Sequence, residues 1–223
     1  MDAPKRPPAV VFLHSAGLTP QMWQAQVEAV ALGEGPEEAQ VIAPWLAGLR
    51  PGRPGELSLS LAAAEVTSTL DRYGIERARL VGHQLGAMVA LQVAASEPDR
   101  VAALVLSGAF ATPGKLALRL QKSLIRVMPN RALADSGATK EDLVRALDLM
   151  ATADFGARLK AIAVPVLVAA GATDPGLPAA QQLVAQLPHA RLEVLPGAGA
   201  NPSIEAPDAY NRLLVDFLSQ TQS

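Results

Sequence analysis

One short segment of this chain has the frame for nucleophilic chemistry. Gly82-His83-Gln84-Leu85-Gly86 follows the apolar run Leu80-Val81 and leads straight into a helix of small residues that opens with Ala87-Met88. A strand, then Gly-x-Nu-x-Gly, then a helix makes a sharp turn that lifts the central side chain to the top of a sheet. Glycines flank it because nothing larger fits the bend. The lifted position ordinarily carries a hydroxyl, thiol or carboxylate that attacks a carbonyl. Here it carries Gln84, whose neutral amide does not attack a carbonyl at any ordinary pH.

Few other groups can supply acid–base chemistry. The histidines are His14, His83 and His189. His14 closes an apolar strand-like run, where a structural role is expected. His83 adjoins Gln84, and neighbouring side chains diverge in such a turn, so it should point beneath the site. His189 lies in the helix-to-strand turn Leu187-Pro188-His189-Ala190, far from any pocket. No two histidines have metal-ligand spacing and cysteine is absent, so no metal and no disulfide are expected. No cofactor is implied either. The loop His14-Ser15-Ala16-Gly17-Leu18-Thr19 after the first strand lacks Gly-x-Gly-x-x-Gly, and there is no P-loop.

The elements that must position these residues alternate along the chain. Strands are predicted at Ala9–His14, Gln40–Pro44, Arg79–Gly82, Val101–Gly108, Pro165–Gly171 and Arg191–Leu195. Helices are predicted at about Thr19–Leu32, Ser58–Tyr73, Leu85–Ser96, Pro178–Leu187 and Ala206–Ser219. Strands apolar throughout, separated by helices, imply a doubly wound, mainly parallel sheet of about six strands buried on both faces. Ligands of such folds sit at the carboxyl ends of the strands. Residues 112–160 break the rhythm with helical patterns at Lys115–Val127 and Thr139–Met150, the second opened by an N-cap and acidic first turn. They read as a helical lid over that edge within a single domain of residues 1–223, although a long crossover would give the same pattern. Trp23 should pack on the sheet, and Trp45, just past a strand end, is a candidate for the pocket wall.

Composition excludes several partners. The formal charge is −2 over 223 residues, which gives no electrostatic case for nucleic acid or an anionic membrane. No apolar stretch approaches a membrane span, and the first residues lack a signal-peptide pattern. A cytoplasmic location and a small-molecule ligand are the expectations. Oligomeric state stays open.

Four landmarks together resemble the α/β-hydrolase fold family over nearly the whole chain. Val10-Val11-Phe12-Leu13-His14-Ser15-Ala16-Gly17 is similar to the strand ending in His-Gly that opens the oxyanion loop. Gly82-His83-Gln84-Leu85-Gly86 is similar to the Gly-His-Ser-x-Gly elbow. Val166-Leu167-Val168-Ala169-Ala170-Gly171-Ala172-Thr173-Asp174 resembles the strand that presents the triad acid. Leu195-Pro196-Gly197-Ala198-Gly199-Ala200-Asn201-Pro202, with Glu205 and Pro207, resembles the region that presents the triad histidine. The resemblance implies a fold lacking the family's first hairpin. It places Gln84 at the nucleophile, Ala200 at the histidine and Asp174 at the acid, so that no competent triad is expected. Ser15 stands where glycine usually follows His14.

What the resemblance leaves is a pocket without a reacting group. The Ala16 and Leu85 amides are the implied oxyanion donors, and His14, Ser15, Gln84, Asp174 and Asn201 are candidate ligand contacts, with Asp174 free to pair with Gln84 or Asn201. Plainer roles stand beside these: Gln84 filling space, Ser15 capping its own turn, Asn201 serving a turn. The implied function is a pseudoenzyme that binds a small carbonyl- or carboxylate-bearing ligand or a partner. The alternatives are a member of ester, amide or carbon–carbon hydrolase ancestry, including one inactivated deliberately, and a lyase or isomerase that reuses the oxyanion hole.

Overall fold

The computed structural model describes residues 8–34, 39–50, 55–112, 114–129, 131, 133 and 138–221. Its strands are β1 (Ala9–Leu13), β2 (Val41–Ile42), β3 (Ala78–His83), β4 (Val101–Ser107), β5 (Val166–Gly171) and β6 (Ala190–Leu195). They form one sheet in the order β2-β1-β3-β4-β5-β6, parallel throughout. Parallel neighbours need crossovers. These carry α1 (Gln24–Ala29), α2 (Leu59–Arg72), α3 (Leu85–Ser96), α4 (Lys115–Val127), α5 (Lys140–Thr152) and α6 (Leu177–Val184), while α7 (Pro202–Glu205) and α8 (Pro207–Gln220) follow β6.

Every residue of β1, β3, β4 and β5 is buried, which is why those segments read as unbroken apolar runs. Alternation sorts the side chains onto two faces. Val11, Leu13, Leu80, Leu104 and Val168 meet a core shared with α2, α3 and α6. Val10, Phe12, Val81, Val105 and Leu167 meet Trp23 and the apolar side of α8. Local signals set the helix starts. Ser58 caps α2 by accepting from the Leu61 amide at 3.1 Å. Thr139 and Asp142 close a capping box at the start of α5.

Two predicted elements come out differently. The helix expected over 19–32 is broken into a 3-10 turn at Pro20–Trp23, α1, and a π turn at Val30–Glu34. Trp23 turns inward there, its ring 5.3 Å from Phe12 and 6.3 Å from Tyr210, and its burial overrides the helical period. β2 is shorter than its apolar run. It pairs only Val41 and Ile42 with β1, and Pro44 has no amide hydrogen to extend the ladder.

Two features of this sheet matter for a site. The chain runs from β1 outward to β2, then returns to place β3 on the other side of β1, so the sheet's switch point lies between β1 and β3. There α3 presses on the backbone of β1: a Cβ at Gly86 would overlap the Leu13 carbonyl and lie 2.7 Å from the His14 oxygen. A Cβ at Gly82 would lie 2.6 Å from the Ala87 backbone, so α3 also folds closely back over β3. The second feature is the segment after β4. α4 and α5 pack on each other through Leu118, Ile125 and Leu147, and Ala146 and Met150 of α5 join the main core. A Cβ on Gly17, in the loop after β1, would meet the Leu143 side chain of α5 at 3.2 Å.

One buried charge ties β3 to the residue before β1 and the residue after α8. Arg79 of β3 is 0% exposed and donates to the Thr221 carbonyl at 2.8 and 3.1 Å and to the Pro8 carbonyl at 2.7 Å. Burial lowers its guanidinium to about 10, so it stays charged at neutral pH and faces the negative end of α8.

The contact at Gly86 gives a direct test. Gly86→Ala should lower the free energy of unfolding in urea by about 3 kcal/mol or more, because the obstacle is backbone and cannot swing aside. A loss below about 1 kcal/mol would show that α3 does not sit this close to β1.

Candidate functional site

Gln84 joins β3 to α3 with φ 45° and ψ −110°, and is the one non-glycine residue at positive φ among those described. Such a backbone costs about 1–3 kcal/mol and persists only where its surroundings impose it. Its amide donates to the Ser107 carbonyl at 2.7 Å, and its carbonyl accepts from the Met88 amide at 3.0 Å. The side chain leans over Gly108, where a Cβ would lie 2.8 Å from its Cγ. Its Oε1 accepts a hydrogen bond from Ser15 Oγ at 2.9 Å. Ser15 therefore spans β1 and β3 with its hydroxyl, while its carbonyl accepts from the Leu18 amide and from His14 Nδ1.

That bond sets the polarity of the site. With Oε1 engaged, the Gln84 amide has donor capacity left at Nε2, which has no partner among the described residues. The Ala16 and Leu85 amides likewise donate to nothing there. Leu85 opens α3, where unpaired amides and the helix dipole favour negative charge.

Neither nearby histidine is free to act as a base. His14 is fully buried. Its Nε2 accepts from the Leu46 amide at 3.0 Å, its Nδ1 bonds the Ser15 carbonyl at 2.8 Å, and burial lowers its pKa. An acceptor at one nitrogen and a donor at the other describe one neutral tautomer. Trp45 stands edge-on to this ring at 5.2 Å. His83 is also fully buried, and burial pushes it down to about 4. Its Nε2 lies 2.9 Å from Asn201 Oδ1.

The loop after β6 is held from within. Glu205 accepts from the Gly199 amide and, at 3.0 Å, from the Asn201 amide, with Asn201 Nδ2 at 3.4 Å. The Gly199 bond first, and the Asn201 bonds with it, hold the Glu205 carboxyl below its usual range. Ala200 lies between the two clamped residues, half-buried. The neighbouring loop after β5 is joined to this one by Thr173, which donates from both Oγ1 and its amide to the Ala198 carbonyl at 3.0 Å.

The candidate residues thus fall into two groups. Ser15, Ala16, Gln84 and Leu85 meet at the ends of β1 and β3, while Asp174, Ala200 and Asn201 belong to the β5 and β6 loops. The His83–Asn201 bond links the groups, and its two residues are the chain neighbours of Gln84 and Ala200. The pairing of Asp174 with Gln84 or Asn201 is not made. Asp174 Oδ1 accepts from the Gly176 amide at 2.7 Å, the short turn being the nearer partner, and Asn201 is taken by His83 and Glu205. Sequence reasoning passed over Glu205 and the His83 contact as site features. The signal for Glu205 was its position four residues after Asn201, within reach of the loop amides.

The sequence profile described as the alpha/beta hydrolase family matches residues 10–213. The chain belongs to the alpha/beta hydrolase family. A relative named as the carbamate hydrolase RutD, from Klebsiella pneumoniae subsp. pneumoniae, is 33% identical over 199 residues, covering 74% of this chain and 75% of the relative. Among solved structures, the enol-lactonase from Burkholderia xenovorans LB400 aligns with TM-score 0.80 at 21% identity, covering 98% of this chain and 94% of that one. A thermophilic esterase from Thermogutta terrifontis aligns with TM-score 0.79 at 22% identity, covering 97% and 91%. These likenesses in structure place this member of the family in the same fold. No helix among the described residues is long and apolar enough to cross a membrane.

Burial of His83 generates a pH prediction. Its folded-state pKa lies below the usual 6.5, so the unfolded chain binds the extra proton first. The stability tied to neutral His83 is fully present above about pH 6.5 and is lost as pH falls towards 4, by up to about 3 kcal/mol. Urea melts across that range should show the fall, and His83→Gln should flatten it. An unchanged slope in the variant would mean that His83 is not the group responsible.

Proposed function

We propose that this α/β-hydrolase-family protein is a pseudoenzyme that binds a small carboxylate- or carbonyl-bearing ligand at its elbow. The observation that carries the reading is Gln84 itself, held at the raised position in the strained elbow conformation with its amide oxygen tied to Ser15. The turn is retained and the nucleophile is not. A triad acid orients and stabilises an imidazolium beside a nucleophile. With Ala200 in the place of the imidazole, Asp174 has nothing to orient.

What remains can recognise an anion. The Ala16 and Leu85 amides and Gln84 Nε2 are all donors, and the N-terminal end of α3 adds a favourable field. A carboxylate or carbamate oxygen accepts from such a set and needs no proton in return. Relatives named as carbamate hydrolases fit the same ligand class, since a carbamate carries the same acceptor oxygens. In this reading α4 and α5 cover the site as a lid, supported by the place of Leu143 beside Gly17. A lyase or isomerase would need a base. His14 and His83 are buried and each bonded through Nε2, and Asp174 is bonded to its own turn.

Two measurements test the reading together. The protein should not turn over p-nitrophenyl acetate above the buffer rate. Calorimetric titration should show acetate binding more tightly than acetamide, with the acetate affinity falling about tenfold in Gln84→Leu, the loss of one charge-assisted hydrogen bond. Turnover at rates of intact esterases, or acetate affinity unchanged in Gln84→Leu, would contradict it.

A further inference from the structure

Behind the elbow, on the sheet face covered by α8, four polar side-chain atoms are buried without a hydrogen-bond partner: Trp23 Nε1, Gln26 Oε1, His83 Nδ1 and Ser203 Oγ. Their residues are 0–2% exposed. Hydrogen bonds, ring contacts and chain adjacency link their residues. Gln26 Nε2 donates to the Ser203 carbonyl at 3.2 Å and to Asn211 Oδ1 at 2.7 Å. Ser203 follows two residues after Asn201, which holds His83. Trp23 precedes Gln26 by three residues, and its ring lies 6.3 Å from that of Tyr210. Tyr210 in turn shares a 3.4 Å hydrogen bond with Ser107, the ladder partner of His83.

The unpaired atoms differ in what they need. The Trp23 indole only donates. Gln26 Oε1 only accepts, because a flipped amide would set its oxygen against the Ser203 carbonyl. His83 Nδ1 accepts, because Nε2 donates to Asn201. The Ser203 hydroxyl does both. Buried polar groups in folded proteins are almost always paired with protein or with ordered water. One donor, two acceptors and one hydroxyl are the complement that water serves, since a single molecule donates twice and accepts twice.

We infer that Trp23, Gln26, His83 and Ser203 line an internal polar site whose ligand is ordered water. The site lies behind α7, and water there ties α7 to the 3-10 turn at Pro20–Trp23 and to β3. It therefore positions the loop of residues 199–201 from behind, while Glu205 clamps it from its own chain. The inference does not rest on the function proposed for the elbow. It holds whether or not Gln84 binds an anion.

A crystal structure at about 1.5 Å resolution is the test, with water–protein cross-relaxation from the Trp23 indole hydrogen as a second measure in solution. The expected result is solvent density at about 2.7–3.2 Å from two or more of the four atoms. It should be accompanied by a long-lived water signal at the indole, and the solvent density should be lost from that position in Trp23→Phe. Absence of density and signal in the unaltered protein would overturn the inference. So would direct pairing within the set, such as Trp23 Nε1 donating to Gln26 Oε1.

Discussion

The close approach of α3 to the ends of β1 and β3 is the constraint on which the rest of this structure depends. Gly82 and Gly86 allow it, and no side chain at either position would leave it intact. The approach forces the joining residue into positive φ, fixes the Leu85 amide next to the β1 loop, and brings Ser15 within reach of the side chain at position 84. The sheet supplies the rest. Its parallel order puts β1 and β3 side by side at the switch point, so that one loop from each meets at the carboxyl edge.

A strained turn of this kind is retained at some expense in stability, and its ordinary use is to present a nucleophile. Here the strained position carries Gln84, a neutral amide. The surrounding polar groups have hydrogen-bond partners of their own. His14 is satisfied at both ring nitrogens, Glu205 holds the β6 loop, and Asp174 turns its carboxylate to its own backbone. The Ser15 hydroxyl of the β1 loop donates to the Gln84 side chain at the elbow. The two side chains are thus physically coupled, each giving the other a hydrogen-bond partner.

Most of the architecture was legible in the sequence, because buried parallel strands must be apolar throughout and their boundaries coincide with glycine and polar turns. β1, β3, β4 and β5 fall within a residue of their apolar runs, and α3 and α4 match their helical patterns. Trp23 broke the predicted helix because tertiary packing against Phe12 and Tyr210 outweighed a local period. The elbow was legible because glycine spacing reports a backbone shape. The partners of individual polar side chains were not. Whether Asn201 meets Asp174 or His83 depends on how two loops from different strands lie in space, and residue types along a chain do not carry that information. The same holds for the Ser15–Gln84 bond, which spans 69 positions in sequence.

Chemical labelling after introducing a serine at position 84 and a histidine at position 200 tests their placement most directly. Gln84→Ser combined with Ala200→His should react with a serine-directed fluorophosphonate, with the adduct mapped by mass spectrometry to residue 84, while the unaltered protein and each single variant stay unlabelled. A correctly folded double variant that takes up no label, or an adduct on the unaltered protein, would contradict the account.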